Sequence, residues 1–174
     1  VDNDRRSPED IARLKGKGVH ALPVFSVESI YYHPEVQGRV VKRHAAVTGG
    51  DASARLADAK SAAISAIATH AHRLSERTTE KAIREQFLRQ LPGKPEIAAA
   101  APINITIDVA TVVAAERSRL QNAVTTGDLS FLVAQYPVRE TPALTDIAEK
   151  LGFQDRDQYE TAVRKMLMDE PEAL

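Results

Sequence analysis

The chain of 174 residues contains no cysteine and no tryptophan, and aromatic residues make up only 5% of it. The absence of cysteine excludes disulfide bonds and thiolate metal sites, and it fits a reducing compartment, which predicts a cytoplasmic protein. No run of apolar residues approaches the roughly 20 that a membrane-spanning helix needs, so we expect no association with a membrane.

Several catalytic signatures are absent as well. The sequence has no glycine-rich phosphate-binding loop, and its local motifs do not assemble a Ser-His-Asp set. His70 and His72 are two residues apart on a predicted helix, so they do not share a face and do not indicate a metal site.

The net charge of −1 conceals an uneven distribution of charge. Residues 39–94 carry 11 Lys and Arg against 5 Asp and Glu, whereas residues 96–174 carry 7 against 13. The basic middle is compatible with a nucleic-acid partner, and solvated faces of surface helices are the alternative interpretation.

The first 48 residues carry the pattern of an α/β unit. Ser7-Pro8-Glu9-Asp10 is typical of a helix start, and Gly16-Lys17-Gly18 ends that helix after about Lys15. The apolar stretch Val19–Phe25 then predicts a buried strand, and a strand ending at Val1 would complete a βαβ unit with a parallel sheet. Ser26 caps the next predicted helix, which ends before His33-Pro34.

The remainder, residues 49–174, reads as a helical C-terminal region. The spacing of apolar residues predicts helices at 51–76, from Thr78 or Thr79 to Leu91, and at about 109–123, 127–135, 143–151 and 155–168. A linker-like break lies at 92–95, and the alternation over 103–107 indicates a strand. The expected fold class is therefore α/β but mostly α, with a partial parallel sheet.

Three carboxylates form a candidate metal site. Asp2 and Asp4 follow the first predicted strand and Glu28 follows the next, and the carboxyl ends of adjacent parallel strands meet at one sheet edge. Their oxygens suit Mg²⁺ or a similar hard cation. The alternative is that the aspartates are loop or capping residues and that Glu28 is a first-turn acid favoured by the helix dipole.

These segments, VDNDRRSPEDI and LPVFSVESIYY, resemble the Toprim domain of ATPase-associated nucleases of the overcoming lysogenization defect (OLD) group. Asp2 and Asp4 match that family's Asp-x-Asp motif, and Glu28 with Ile30-Tyr31 approximates its glutamate motif, with Ser29 where the family often has Asn. The resemblance covers about residues 1–35.

The resemblance implies a Mg²⁺ or Mn²⁺-dependent nuclease that cleaves nucleic-acid phosphodiesters in phage defence or DNA processing, with an ATPase domain or subunit as partner. Asp2, Asp4 and Glu28 would then be the catalytic metal ligands. The family also uses an acidic residue from an earlier strand. We therefore expect the chain to be a C-terminal fragment that is inactive alone and that can form a homo-oligomer.

Four basic residues are candidate phosphate contacts. Arg5 and Arg6 directly follow the aspartate pair, and Lys42 and Arg43 form a second cluster after the Glu28 helix. Arginine suits phosphate recognition, although ion pairs with nearby carboxylates and a solvated surface are the alternatives.

A hypothesis of a different class is a non-enzymatic helical module that binds DNA or protein. Residues 144–165 have the spacing of an AraC-type helix-turn-helix, with Gly152 at the turn. Asp155, Asp157 and Glu160 in the second helix oppose contact with DNA phosphates, which favours an αα-hairpin that packs in the fold.

Overall fold

The structure is a computed structural model that describes residues 6, 8–22, 24–98, 102 and 104–169. The described residues form ten α-helices and one 3₁₀ turn: α1 (Pro8–Gly16), α2 (Val27–Tyr31), α3 (Pro34–Thr48), α4 (Ala52–Thr69), α5 (Ala71–Arg89), α6 (Lys94–Ala98), α7 (Val109–Thr126), α8 (Leu129–Gln135), the 3₁₀ turn Val138–Glu140, α9 (Ala143–Lys150) and α10 (Arg156–Asp169). Over these ranges no helix combines the length and apolar character that crossing a bilayer requires.

The expected α/β fold with a partial parallel sheet is wrong, because the described residues contain no strand. The stretch predicted as a strand over Val19–Phe25 has no strand neighbour, and the N–H of Phe25 donates instead to the carbonyl of Ala134 in α8, at 2.8 Å. A strand needs a strand partner to satisfy its backbone groups, whereas the partner of Phe25 belongs to a helix.

The second predicted strand, 103–107, also lacks a partner in the part that is described. Ile105 and Ile107 are half-buried while Asn104 and Thr106 are exposed, so the alternation inferred from the sequence is present. The carbonyl of Thr106 accepts a hydrogen bond from the Gln90 side chain at the end of α5, at 3.4 Å. The segment therefore runs as an extended connection between helices.

Aspartate side chains cap four of the described helices, and three of these caps begin α4, α7 and α8. The carboxylates of Asp51, Asp108 and Asp128 accept hydrogen bonds from backbone N–H groups in the first turns of α4, α7 and α8, at 2.8 to 3.2 Å. Each cap satisfies donors that the helix itself leaves without a partner. These short-range bonds explain why the starts of α4, α7 and α8 follow from the local sequence.

The boundary between α4 and α5 differs from the prediction. The helix predicted over 51–76 corresponds to α4, which ends earlier, at Thr69. One residue, His70, joins α4 to α5. Thr78 and Thr79 do not begin a helix but lie buried inside α5, where the Thr78 hydroxyl donates to the carbonyl of Leu74 at 3.1 Å. A threonine hydroxyl can bond within a helix as readily as it can cap one, so the residue type alone did not decide between the two positions.

The core is centred on the contact between α4 and α9, the most extensive between any two elements of the described chain. The buried stripe of α4 consists of Ala59, Ala63 and Ile67, all fully buried. The buried face of α9 also contains alanines, Ala143 and Ala148. Small side chains allow two helix axes to approach closely, so this pair forms the centre on which α3, α7, α8 and α10 pack.

The C-terminal helices predicted from apolar spacing are confirmed as α7 to α10, with ends shifted by a few residues. Gly152, placed at a turn by the sequence, follows α9 in a left-handed conformation, with φ of 94°. This positive φ favours glycine, and a Cβ here, 2.8 Å from Nη1 of Arg55, would also require the Arg55 side chain to shift.

We expect Ala63→Leu to destabilise the protein by about 1 to 3 kcal/mol, because the larger side chain would push α4 away from α9. Ala68→Leu makes the same substitution on an exposed face of α4 and should change stability by less than about 0.5 kcal/mol. Urea unfolding measured by circular dichroism compares the two. Equal stability of the two variants would contradict the proposed close packing.

Candidate functional site

The predicted metal ligands are only partly described by the structure. Asp2 and Asp4, like Arg5, lie outside the described residues. Glu28 is the second residue of α2, and its helix begins after Ser26, whose N–H donates to the Ser29 hydroxyl at 3.3 Å. Glu28 therefore occupies a first-turn position of a helix, where the helix dipole favours an acid.

The carboxylate of Glu28 is ion-paired. Its Oε1 lies 3.6 Å from Nη1 of Arg139, and the two side chains are 27% and 44% exposed, respectively. Burial raises the pKa of Glu28, but hydrogen bonds from Ser26 and the backbone, with the charges of Arg139 and Arg156, outweigh it and hold the pKa below its ordinary value. Glu28 is therefore a carboxylate at neutral pH.

A second carboxylate, that of Glu160, is linked to Glu28 through Arg156, whose charge acts on both. It is 9% exposed and accepts hydrogen bonds from Arg156 at 2.6 Å, Arg164 at 3.1 Å and the Tyr32 hydroxyl at 3.2 Å. Burial and the charge of Glu160 raise the pKa of Tyr32, so its phenol stays neutral and donates. We call Glu28, Glu160, Arg139, Arg156 and Arg164 the arginine-glutamate cluster.

Aromatic rings extend this cluster. The guanidinium of Arg156 lies over the ring of Tyr32, 5.9 Å from its centroid, and that of Arg164 lies 5.8 Å from the ring centroid of Tyr31. The Tyr159 hydroxyl donates to the backbone carbonyl of Tyr31 at 2.7 Å. These contacts connect α2 to α10.

The charged neighbours that lower the pKa of Glu28 are arginines. Arg139 forms an ion pair with Glu28, and Arg156 acts on it through its charge. The described part of the chain contains no group of three or more His, Cys, Asp or Glu side chains placed to hold a metal. A metal site at Glu28 would depend on Asp2 and Asp4, which the structure does not describe.

The predicted nucleic-acid contacts lie on two parts of the chain. Arg6 is exposed just before α1. Lys42 and Arg43 lie with Arg39 on one exposed face of α3, at the three- and four-residue spacing that places side chains together. Arg43 forms an ion pair of 2.5 Å with Asp169 at the end of α10, so part of this basic face is neutralised.

The terminal helix pair packs in the fold. The face of α9 that contains Ala143, Leu144, Ile147 and Ala148 is buried. At the start of α10, Asp155 caps the helix by accepting from the N–H of Gln158 at 2.7 Å, and Asp157 is exposed there. This geometry fits a packing hairpin better than a DNA-reading helix, since acids occupy the end that would face phosphates.

Helices α5 and α7 form an antiparallel pair that extends beyond the core. Their neighbouring residues run in opposite order, with His72 against Arg117 at 3.4 Å near the core and Ile83 beside Val113 further out. The buried residues of α5 all precede Glu80, and those of α7 begin at Glu116. We call the outer part of this pair, residues 80–98 and 104–115, the arm.

The base of the arm is held by the 3₁₀ turn. Arg77 forms an ion pair of 2.7 Å with the carboxylate of Glu140, and Arg73 donates to the backbone carbonyl of the same residue. Arg139, the neighbour of Glu140, contacts Glu28. The 3₁₀ turn therefore connects the arm to the arginine-glutamate cluster.

Large apolar side chains are exposed at the outer end of the arm. Five of the eight large hydrophobic residues exposed in the described structure lie there, at 46 to 63% exposure: Phe87, Leu88, Leu91, Ile97 and Val109. We call these five residues the tip patch. Sequence reasoning missed it, although three apolar residues in the last turn before Pro92-Gly93 were a visible signal. Exposed apolar side chains concentrated in one region mark an interaction site.

Comparisons with known proteins identify no relative of this chain, so the function of these surfaces is inferred from their chemistry. No family model, no curated protein and no solved structure matches the chain.

We expect Glu28→Gln to reduce stability more at about pH 6.5 than at about pH 3.5. Because the pKa of Glu28 is lowered in the folded protein, its contribution is complete above the ordinary value of 4.5 and is lost as the pH falls through the folded pKa. Urea unfolding at both pH values tests this. Glu149→Gln, on an exposed part of α9, controls for the loss of one negative charge. A Glu28→Gln effect that is the same at both pH values would contradict the ion pairing.

Proposed function

We propose that the chain is a non-enzymatic helical module that binds protein through the tip patch, and that the partner there is a second copy of the same chain. The observation that carries this proposal is the concentration of exposed apolar side chains at the end of the arm. Aromatic and aliphatic anchors of this kind supply much of the energy of protein interfaces.

The charges of the arm favour a second copy over other partners. Between Glu80 and Val109 the sequence carries four basic residues and four acidic residues: Lys81, Arg84, Arg89 and Lys94, with Glu80, Glu85, Glu96 and Asp108. An arm without net charge has no general attraction for nucleic acid or for anionic lipid. Two copies meet there without net repulsion, and alternating charges can pair across a two-fold axis.

The predicted location and the other predicted partners are consistent with this proposal. We place the module in the cytoplasm because its sequence has no cysteine. Binding of nucleic acid by Lys42 and Arg43, and association with an ATPase, stay predictions. Lys42 and Arg43 lie on α3, outside the arm, so nucleic-acid binding there would leave the tip patch available for self-association.

The self-association is tested by sedimentation equilibrium over about 1 to 200 μM, a range that detects a dimer with a Kd near 10 μM. We expect a concentration-dependent dimer, and we expect Leu88→Ser/Leu91→Ser to be monomeric over the same range. Both side chains are about half exposed, so the fold should be retained.

The matched control is Val47→Ser/Met168→Ser, which removes two exposed hydrophobic side chains outside the arm. This control should dimerise as the original chain does. An original chain that stays monomeric, or a control that loses the dimer equally, would contradict the proposal.

The metal-dependent nuclease inferred by resemblance stays a prediction, supported by the ionised carboxylate of Glu28. If this hypothesis is right, calorimetry detects Mn²⁺ binding by the original chain. Asp4→Asn and Glu28→Gln should each abolish that binding. Asp10→Asn, in α1, is the matched control and should bind as the original chain does. No heat of Mn²⁺ binding by the original chain would remove the basis for this hypothesis.

A further inference from the structure

A small cavity lies between α3 and α10, on a different part of the molecule from the arm. Its volume is about 250 Å³, and its floor is formed by Val40, Phe153 and Met166, which are at most 6% exposed. Val47 forms part of its wall and is 86% exposed. The cavity therefore joins an apolar interior to an apolar residue at the surface.

The charged residues that line this cavity are basic. Arg43 and Lys165 belong to the lining, and His44 lies against Phe153 with its ring stacked at 4.4 Å between centroids. Asp169 pairs with Arg43 from the end of α10. The amine of Lys165 has no acidic partner among the described residues, so it leaves a positive charge beside the opening.

We propose that this cavity binds an acidic peptide segment of a partner protein through one large apolar side chain. The volume lies below the roughly 300 to 1,000 Å³ typical of small-molecule sites, so a single side chain suits it better than a larger ligand. The apolar anchor would enter between Val40, Phe153 and Met166. Flanking carboxylates would then lie near Lys165 and Arg43, where opposite charges meet.

The lining argues against a nucleic-acid base as the occupant. A buried base needs partners for the polar atoms on its edges, and the floor residues Val40, Phe153 and Met166 offer none. One face of the His44 ring, which could otherwise stack on a base, is already covered by Phe153. An aliphatic or aromatic side chain needs no hydrogen bonds in the same space.

Fluorescence anisotropy with the full chain tests the proposal. The probe is a labelled peptide with a central phenylalanine flanked on both sides by glutamates. We expect saturable binding that weakens about tenfold or more when alanine replaces the phenylalanine, and also when lysines replace the glutamates. A labelled single-stranded oligonucleotide serves as the probe for the alternative occupant.

Two substitutions place the binding at this cavity. Lys165→Glu and Val47→Asp each introduce a negative charge at an exposed position beside the opening, and each should weaken peptide binding about tenfold or more. Lys150→Glu makes the matched change on α9, away from the cavity lining, and should bind within about twofold of the original chain. Circular dichroism confirms that each variant is folded.

Four results would overturn the proposal. The first is that binding of the acidic phenylalanine peptide does not saturate up to about 1 mM, and the second is that the alanine peptide binds equally well. The third is that the oligonucleotide binds more tightly than the peptide. The fourth is that both Lys165→Glu and Val47→Asp bind the peptide as the original chain does. The dimerisation variants of the arm do not alter these readouts, so the two proposals fail independently.

Discussion

The close contact of α4 with α9 is the constraint on which the rest of the structure depends. Ala59 and Ala63 on one helix and Ala143 and Ala148 on the other leave little volume between the axes. The same two helices contribute Ile67, Leu144 and Ile147 to the core, and further large core residues lie around them on α3, α7, α8 and α10. A chain with few aromatic residues can build a dense core in this way.

Charged side chains add a second set of contacts where α10 meets the N-terminal part of the fold. Glu160 is buried on α10 and bonded to two arginines and to Tyr32 of the loop after α2, a residue 128 positions earlier in the chain. Breaking such a cluster by removing one member leaves an uncompensated buried charge. The same carboxylate that opposes a DNA-reading role for α10 thus holds α10 against the N-terminal part of the fold.

Local signals predicted the helices well and the long-range contacts poorly. The aspartate caps and apolar spacing act over a few residues, so the starts of α4, α7 and α8 could be read directly. The extended segment before α7 has a true alternation of exposure, but whether it becomes a strand depends on a partner that no local pattern reveals. Likewise, nothing near Glu28 in sequence indicates its ion pair with Arg139, because that contact depends on a fold that brings residues 28 and 139 together.

The boundary between Thr79 and Glu80 determines how far the arm projects. Helix α5 is held in the core up to Thr79, so its projecting part runs from Glu80 to Arg89, about 15 Å at 1.5 Å per residue. A rotation of about 10° at this boundary displaces the far end of the helix by about 3 Å. The ion pair between Arg77 and Glu140 lies one helical turn before this boundary, so a change in the 3₁₀ turn acts at the base of the arm.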